Sequence, residues 1–160
     1  MRRKDREITD INEILGIIGR AGILRLGLFD GEYPYVVPLH YGYEYSDGTL
    51  TFYMHGAREG HKLDLIRENC KACVELDCDA ELISGGDVAC AYGSSFASVI
   101  GRGTASIVTD EAEKIKGLKL LMENQTGRSF EIDGRMAAAV TVIKVKLDSF
   151  TAKARKMPQK

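Results

Sequence analysis

The sequence predicts a mainly β protein, an antiparallel barrel of six strands with short helices at its edges. Hydrophobic residues recur at every second position in six stretches, which is the pattern of strands with one buried face. Most of these stretches are joined by hairpin-length connections, and no strand–helix–strand unit repeats as a parallel sheet would require. An antiparallel barrel accommodates such strands most simply.

Alternating apolar and polar residues, with turn residues between the stretches, predict the six strands. They are expected at about 24–28, 35–45, 49–55, 72–78, 96–108 and 139–147. Pro38 interrupts the second strand and cannot donate a ladder hydrogen bond, so it is expected at a bulge, at an edge or where another molecule approaches. Gly101 and Gly103 in the fifth strand mark bulges or a close approach of another backbone or ligand.

Three helices are predicted from apolar residues at helical spacing. The first covers about 10–19 and begins with a capping box, an acidic N-cap followed three residues later by glutamate. The second covers 61–69. The third covers 110–127, with a second capping box at its start and a glycine at its end.

Length and composition limit the class of protein. The 160 residues favour one domain spanning 1–160, with peripheral tails expected at 1–8 and 153–160. A hydrophobic content of 44% and a net charge of −1 argue against disorder. The 22 basic residues balance 23 acidic ones, so no nucleic-acid partner is expected. The chain has no apolar run of membrane-span length and no signal peptide, so a cytoplasmic protein without a membrane partner is expected.

Four cysteines are expected to be reduced packing residues, namely Cys70, Cys73, Cys78 and Cys90. A zinc site would need a second close pair beside Cys70 and Cys73. A redox Cys-x-x-Cys should open a helix after a strand, whereas here the first cysteine follows a helix. The histidines and carboxylates also lack metal-ligand spacing, so no metal is expected.

The stretch 53–62 is the strongest candidate for chemistry, because a strand ends there, a glycine-bounded loop turns and a helix begins. A helix start offers free backbone N–H groups, and Arg58, His61 and Lys62 add cationic donors. These features suit a phosphate, although a solvated loop has the same composition. His55 closes the strand and could contact a planar ligand or donate a proton, or belong to a strand-end polar network.

Several stretches in order resemble the pyridoxamine 5′-phosphate oxidase-like, FMN-binding split-barrel superfamily, and within it the NimA-type 5-nitroimidazole resistance proteins. They are Arg2–Ile8, Tyr33–Tyr41, Phe52–Ala57 with Gly60–Lys62, Ser98–Ala105 and Thr151–Arg155. The resemblance implies a six-stranded antiparallel Greek-key split β-barrel that forms a homodimer with FMN at the subunit interface.

The resemblance also implies a set of cofactor-binding residues. They are Val37, Pro38, Leu39, Phe52, Tyr53, Met54, His55, Arg58, His61, Lys62, Ser95, Ser98 and Val99. Within this set His61 and Lys62 would take the phosphate, and some of the residues at 95–99 would come from the partner subunit. His55 is the candidate catalytic residue, which would orient or protonate a bound substrate.

Two functions follow from the resemblance. The first is an FMN-dependent reductase of small electron-poor molecules such as nitroimidazoles. The alternative is a protein that binds or sequesters a flavin, a deazaflavin or haem without catalysis. Vitamin B6 oxidation is not expected, because the basic set around Arg58, His61 and Lys62 is too small for a second phosphate.

Overall fold

The computed structural model describes residues 3–157. This part of the chain contains eight strands, four α-helices and two 3₁₀ turns. The strands are β1 Glu7–Ile8, β2 Leu24–Asp30, β3 Tyr33–Leu39, β4 Tyr41–Ser46, β5 Thr49–Gly56, β6 Lys71–Ile83, β7 Gly93–Val108 and β8 Thr141–Arg155. The helices are α1 Ile11–Arg20, α2 His61–Glu68, α3 Glu111–Thr126 and α4 Gly134–Ala138, and the 3₁₀ turns are Lys4–Arg6 and Ala89–Ala91.

The strands form one antiparallel sheet in the order β3-β2-β6-β7-β8-β5-β4. The edge strands β3 and β4 are separated in sequence only by His40, so the sheet must roll until its two edges meet. Among the residues that the structure describes, no ladder joins those edges, which leaves the barrel split at this point. The prediction of six strands is wrong, because the stretch 35–45 divides at His40 and because β1 adds a short strand.

Short segments near both ends of the described range pair in the sheet. Strand β1 pairs with β8, with Glu7 opposite Lys153 and Ile8 opposite Ala152. Strand β8 continues to Arg155 along β7. Of the tails expected at 1–8 and 153–160, residues 1–2 and 158–160 lie outside the described residues, and residues 7–8 and 153–155 are paired in the sheet.

The helix ends agree with the predicted caps. The Asp10 side chain accepts a hydrogen bond from the Glu13 N–H at 2.9 Å, and Asp110 accepts one from the Glu113 N–H at 2.8 Å. Gly127 ends α3 with a left-handed φ of 66°. The short helix α4 follows and was not predicted.

The core fills the inside of the rolled sheet. Alternate residues of β2 point inward, and α1 and α2 add apolar side chains. The largest fully buried side chains are Tyr41, Phe52, Ile17, Ile18, Leu24, Leu26, Leu50, Met54, Leu63, Leu76, Ile143 and Val74. A smaller apolar cluster lies under α3, where Tyr53 packs with Val108 and Val142.

Helix α3 approaches the sheet closely at two glycines. A methyl group on Gly42 of β4 would overlap the backbone of Leu120 and Leu121. One on Gly117 of α3 would lie 2.7 Å from the Tyr53 ring. The helix can therefore lie flat on the sheet only while both positions lack a side chain.

The four cysteines are free thiols. Cys73 and Cys78 are partly buried, whereas Cys70 and Cys90 are exposed, so the prediction of packing residues is wrong for the last two. Within residues 3–157, no group of three His, Cys, Asp or Glu side chains could hold a metal ion. In the same described range, no helix has the length and apolar character needed to cross a membrane.

Candidate functional site

The junction between β5 and α2 forms the centre of the candidate site. Gly60 precedes the helix with a φ of 140°, a conformation that favours glycine. Its carbonyl accepts from the Leu63 N–H at 2.8 Å and from the Asp64 N–H at 3.4 Å. The N–H groups of His61 and Lys62 lie in the first helical turn, where no intrahelical acceptor is available. They remain available to an anion, which the helix dipole also favours.

Lys62 lies against the end of β5. A Cβ built on Gly56 would lie 2.9 Å from Lys62 Cε and 3.1 Å from its Nζ. The absence of a side chain at Gly56 therefore makes room for the ammonium group. Lys62 is partly buried and forms no ion pair within residues 3–157. We call the Gly56 backbone, the Lys62 ammonium and the first N–H groups of α2 the Lys62 cradle.

His61 faces away from this arrangement, toward the β2–β3 hairpin. Its Nε2 lies 2.7 Å from Asp30 Oδ2, and its ring packs edge-on against Tyr35 at 5.1 Å between centroids. The hydrogen bond to Asp30 raises the pKa of the His61 imidazole. The Asp30 carboxylate thus already balances the charge of His61, and Lys62 is the cation left for an incoming anion.

The His61–Asp30 pair makes a pH-dependent contribution to stability. Because the folded-state pKa of His61 is raised, this contribution is complete below the ordinary histidine pKa of about 6.5 and is lost as pH rises through the raised value. We expect Asp30→Asn to lower the His61 pKa, measured by NMR of its ring protons. The Glu32→Gln control in the same hairpin turn should leave the His61 pKa unchanged. Equal His61 pKa values in wild type and Asp30→Asn would contradict this assignment.

Arg58 does not join the Lys62 cradle. Its Nη2 donates to the Ala138 carbonyl at 2.7 Å, at the last residue of α4. The guanidinium therefore satisfies a helix-end carbonyl. In this structure the Arg58 guanidinium is thus engaged at the end of α4 and not at the Lys62 cradle.

The predicted residues of β5 differ in how deeply their side chains are buried and in what covers them. Phe52 and Met54 are fully buried in the main core. Tyr53 is buried under α3, and its hydroxyl donates to Glu44 Oε1 at 2.9 Å. Burial, reinforced by the Glu44 carboxylate, raises the pKa of Tyr53. Of the four predicted residues in 52–55, only His55 has an exposed side chain.

The predicted residues of β3 lie on an edge strand, which within the described part of the chain pairs only with β2. Val37 and Leu39 pack partly against the core, and Pro38 is exposed opposite Arg25. Of the three places expected for Pro38, a bulge, an edge or the approach of another molecule, the structure shows the edge. An edge strand leaves backbone groups unpaired on its outer side, so a ligand can reach them.

The third predicted group lies at the other end of the sheet. Ser95 Oγ donates to the Asp79 carbonyl at 2.8 Å and accepts from the Glu81 N–H at 3.1 Å, across the bulge in β6. Ser98 is buried and Val99 is fully buried. His55 lies opposite Val142, which pairs with the far end of β7. One chain therefore does not bring the residues at 95–99 to His55.

Sequence reasoning missed Asp30 and Tyr35 as neighbours of the site. The Asp30-Gly31 pair signalled a turn, but nothing local indicated that this turn meets α2. From the sequence, Gly56 indicates only a loop boundary. Its role becomes visible only when Lys62 is seen to occupy the space beside it.

The chain is similar to known proteins in both sequence and fold. A family model described as pyridoxamine 5′-phosphate oxidase matches residues 10–154. A candidate 5-nitroimidazole antibiotic resistance protein from Bacteroides thetaiotaomicron VPI-5482 superposes with a TM-score of 0.78 at 30% identity, covering 92% of this chain and 86% of that one. None of the curated proteins compared with the chain matches it.

Two more distant structures share the fold. The flavocytochrome Anf3 from Azotobacter vinelandii has a TM-score of 0.76 at 20% identity and covers 99% of this chain and 73% of its own. An FAD and heme binding protein from Mycobacterium smegmatis has a TM-score of 0.75 at 15% identity, with coverages of 97% and 76%. The family model and the Bacteroides relative together place this chain in the pyridoxamine 5′-phosphate oxidase-like split-barrel superfamily, as a NimA-type member.

Proposed function

We propose that the chain is a flavoprotein that binds FMN, with the FMN phosphate at the Lys62 cradle. The observation that carries this proposal is the pairing of a partly buried ammonium with free N–H groups at the start of α2. Charge-assisted donors of this kind are strong phosphate ligands. The missing side chain at Gly56 leaves space for the Lys62 ammonium. The donor set therefore fits the phosphate end of the cofactor.

The planar end of FMN would lie toward the edge strand β3 and the exposed His55. The outer backbone groups of β3 can reach polar ring atoms, as expected for Val37, Pro38 and Leu39. Ser95, Ser98 and Val99 cannot reach the same place from one chain. We therefore propose a homodimer in which a second copy supplies that group.

An apolar hollow on the outer face of the sheet supports the homodimer. It measures about 850 Å³ and lies beside Phe29, Pro34 and Val36. Phe29 is 62% exposed and Val36 is 58% exposed, so large apolar side chains are available to a partner at this hollow. Charges of both signs surround the hollow, including Arg102 and Asp148. Across a two-fold axis, a cation of one copy can pair with a carboxylate of the other copy.

We further propose that the protein reduces small electron-poor molecules such as nitroimidazoles. Bound FMN would supply the electrons, and the protein supplies binding and electrostatics. The His55 ring forms no hydrogen bond within residues 3–157 and is exposed beside the Lys62 cradle. It is therefore free to orient a substrate or to donate a proton from a ring N–H.

The experiment is spectroscopic. We expect the purified protein to bind FMN and, once reduced by dithionite, to be reoxidised anaerobically by a nitroimidazole faster than free reduced FMN. His55→Gln should slow this step while FMN remains bound. Reoxidation no faster than that of free FMN would refute the reductase proposal, and failure to bind FMN would refute the flavoprotein proposal.

A binding protein without catalysis is the second candidate. Its support is the fold shared with the Mycobacterium smegmatis protein, whose description names haem as well as FAD. The exposed His55 could be an axial ligand. A Soret band after expression with haem supplied, together with no flavin spectrum, would favour this candidate over the reductase.

A further inference from the structure

The loop 57–60 connects the two sides of the Lys62 cradle. It leaves β5 after Gly56, which lies beside the Lys62 ammonium, and it ends at Gly60, which precedes the first turn of α2. All four residues of the loop are exposed. A phosphate in the cradle would therefore contact groups at both ends of this loop.

Arg58 attaches the middle of the loop to the rest of the protein. Within the described residues, 57–59 form no backbone–backbone hydrogen bond. The bond from Arg58 Nη2 to the Ala138 carbonyl, at 2.7 Å, is the only hydrogen bond that these three residues make in that part of the chain. Without it, three exposed residues would be free to sample many backbone conformations.

Helix α4 holds the acceptor carbonyl in place. Its Ala137 side chain is only 1% exposed, so the helix is packed against the protein. The Asp133 side chain accepts a hydrogen bond from the Met136 N–H at 2.8 Å, which caps the first turn. Five residues are too few for a helix that is stable on its own, so the packing and this cap keep α4 folded.

The contact between Arg58 and α4 closes a small ring of chain at the end of β5. Ala138 lies three residues before Thr141, and Thr141 pairs with Gly56 in the β5–β8 ladder. Gly56 in turn lies two residues before Arg58. The ladder and the Arg58 side chain thus hold the start and the middle of the loop against the same segment, 138–141.

We propose that Arg58 is a positioning residue, which acts through α4 to hold the loop 57–60 in the conformation that receives the phosphate. This inference rests on the proposed FMN function and adds a helix outside the Lys62 cradle to the parts that determine cofactor affinity. A site that is ordered before binding loses less conformational entropy when the ligand arrives. Arg58 would therefore raise the affinity for FMN without contacting its phosphate.

The first measurement is the heteronuclear NOE of residues 57–59 in the full chain without flavin, which reports fast backbone motion. We expect it to fall in Arg58→Ala, which removes the donor, and in Asp133→Ala, which loosens the helix that carries the acceptor. Arg135→Ala is the control, because it removes an equal charge from a side chain of α4 that is 96% exposed. It should leave the NOE unchanged. An NOE equal to that of wild type in Arg58→Ala or in Asp133→Ala would overturn the proposal.

The second measurement is the affinity for FMN and for riboflavin. Arg58→Ala should weaken FMN binding by roughly threefold to tenfold and riboflavin binding less, because the loop borders the phosphate end of the site. Asp133→Ala should cause a smaller loss of the same kind. Asp10→Ala, which removes an equivalent cap from α1, should leave both affinities unchanged.

A double variant separates positioning from direct contact. If Arg58 acts through α4, the variant with both Arg58→Ala and Asp133→Ala should bind FMN as Arg58→Ala alone does. Additive losses, or a loss in Arg58→Ala with none in Asp133→Ala, would overturn the proposal, because the two residues would then act separately. Absence of FMN binding in wild type, with the loop NOE values as expected, would instead overturn the flavin proposal and leave the attachment of the loop to α4 established.

Discussion

Gly42→Ala is expected to destabilise the folded protein by about 3 kcal/mol, at the upper end of the range for overpacked cores. The new methyl group would overlap the backbone of Leu120 and Leu121, which cannot move aside as a flexible side chain could. The helix cannot easily shift, because Asn124 and Gln125 donate to the Tyr41 carbonyl at 3.0 and 2.9 Å.

Urea unfolding followed by circular dichroism measures this effect. Gly22→Ala is the matched control, because nothing lies within 4 Å of a Cβ at that position. It should change the free energy of unfolding by less than about 0.5 kcal/mol. Equal midpoints for the Gly42 and Gly22 variants would show that α3 does not rest on the sheet as described.

Lys62→Ala is expected to weaken FMN binding by about 1.5–3 kcal/mol, the usual size of a charge-assisted contact to phosphate. The ammonium lies beside Gly56 and has no carboxylate partner in residues 3–157, so its removal breaks no ion pair in the described fold. We therefore expect the loss to appear in cofactor affinity and much less in the free energy of unfolding.

Fluorescence titration with FMN measures the dissociation constant and so tests this prediction. Lys119→Ala is the control, since Lys119 lies on α3 and pairs only loosely with Glu131 at 3.4 Å. It removes the same charge and should leave FMN affinity unchanged. An unaltered dissociation constant in the Lys62 variant would remove the phosphate assignment.

The features that the sequence predicted well depend on neighbouring residues. Asp10 and Asp110 cap their helices through the residue three positions on, so the short motif contains the whole interaction. The missing N–H of Pro38 excludes it from a central ladder, which limits it to a bulge, an edge or a contact with another molecule, and the structure shows an edge. The free N–H groups at the start of α2 follow equally from local chain geometry.

The features that the sequence did not predict depend on distant contacts. His40 breaks the expected long strand, and its Nδ1 lies 2.8 Å from Gln125 Oε1. Because Gln125 uses its NH₂ for the Tyr41 carbonyl, its oxygen faces His40, and His40 Nδ1 must carry the proton. Alternating hydrophobicity continues through this break, so periodicity alone could not divide the strand.

The same limit applies to charge. The sequence alone presents His61 as a free cation, because its partner Asp30 lies far away along the chain, in the β2–β3 hairpin. Arg6 and Lys153 lie at opposite ends of the chain, yet both contact Phe96. Sheet pairing between β1, β7 and β8 brings them together, and a search for basic runs along the sequence does not detect that pairing.

The central claim, that the Lys62 cradle binds the FMN phosphate, is tested most directly by comparing FMN with riboflavin. The two ligands share the ring and differ by the phosphate. The dissociation constants of both are to be measured for wild type and Lys62→Ala. We predict that wild type prefers FMN by roughly tenfold or more and that the variant loses most of this preference. An equal preference for FMN in the two proteins would contradict the claim.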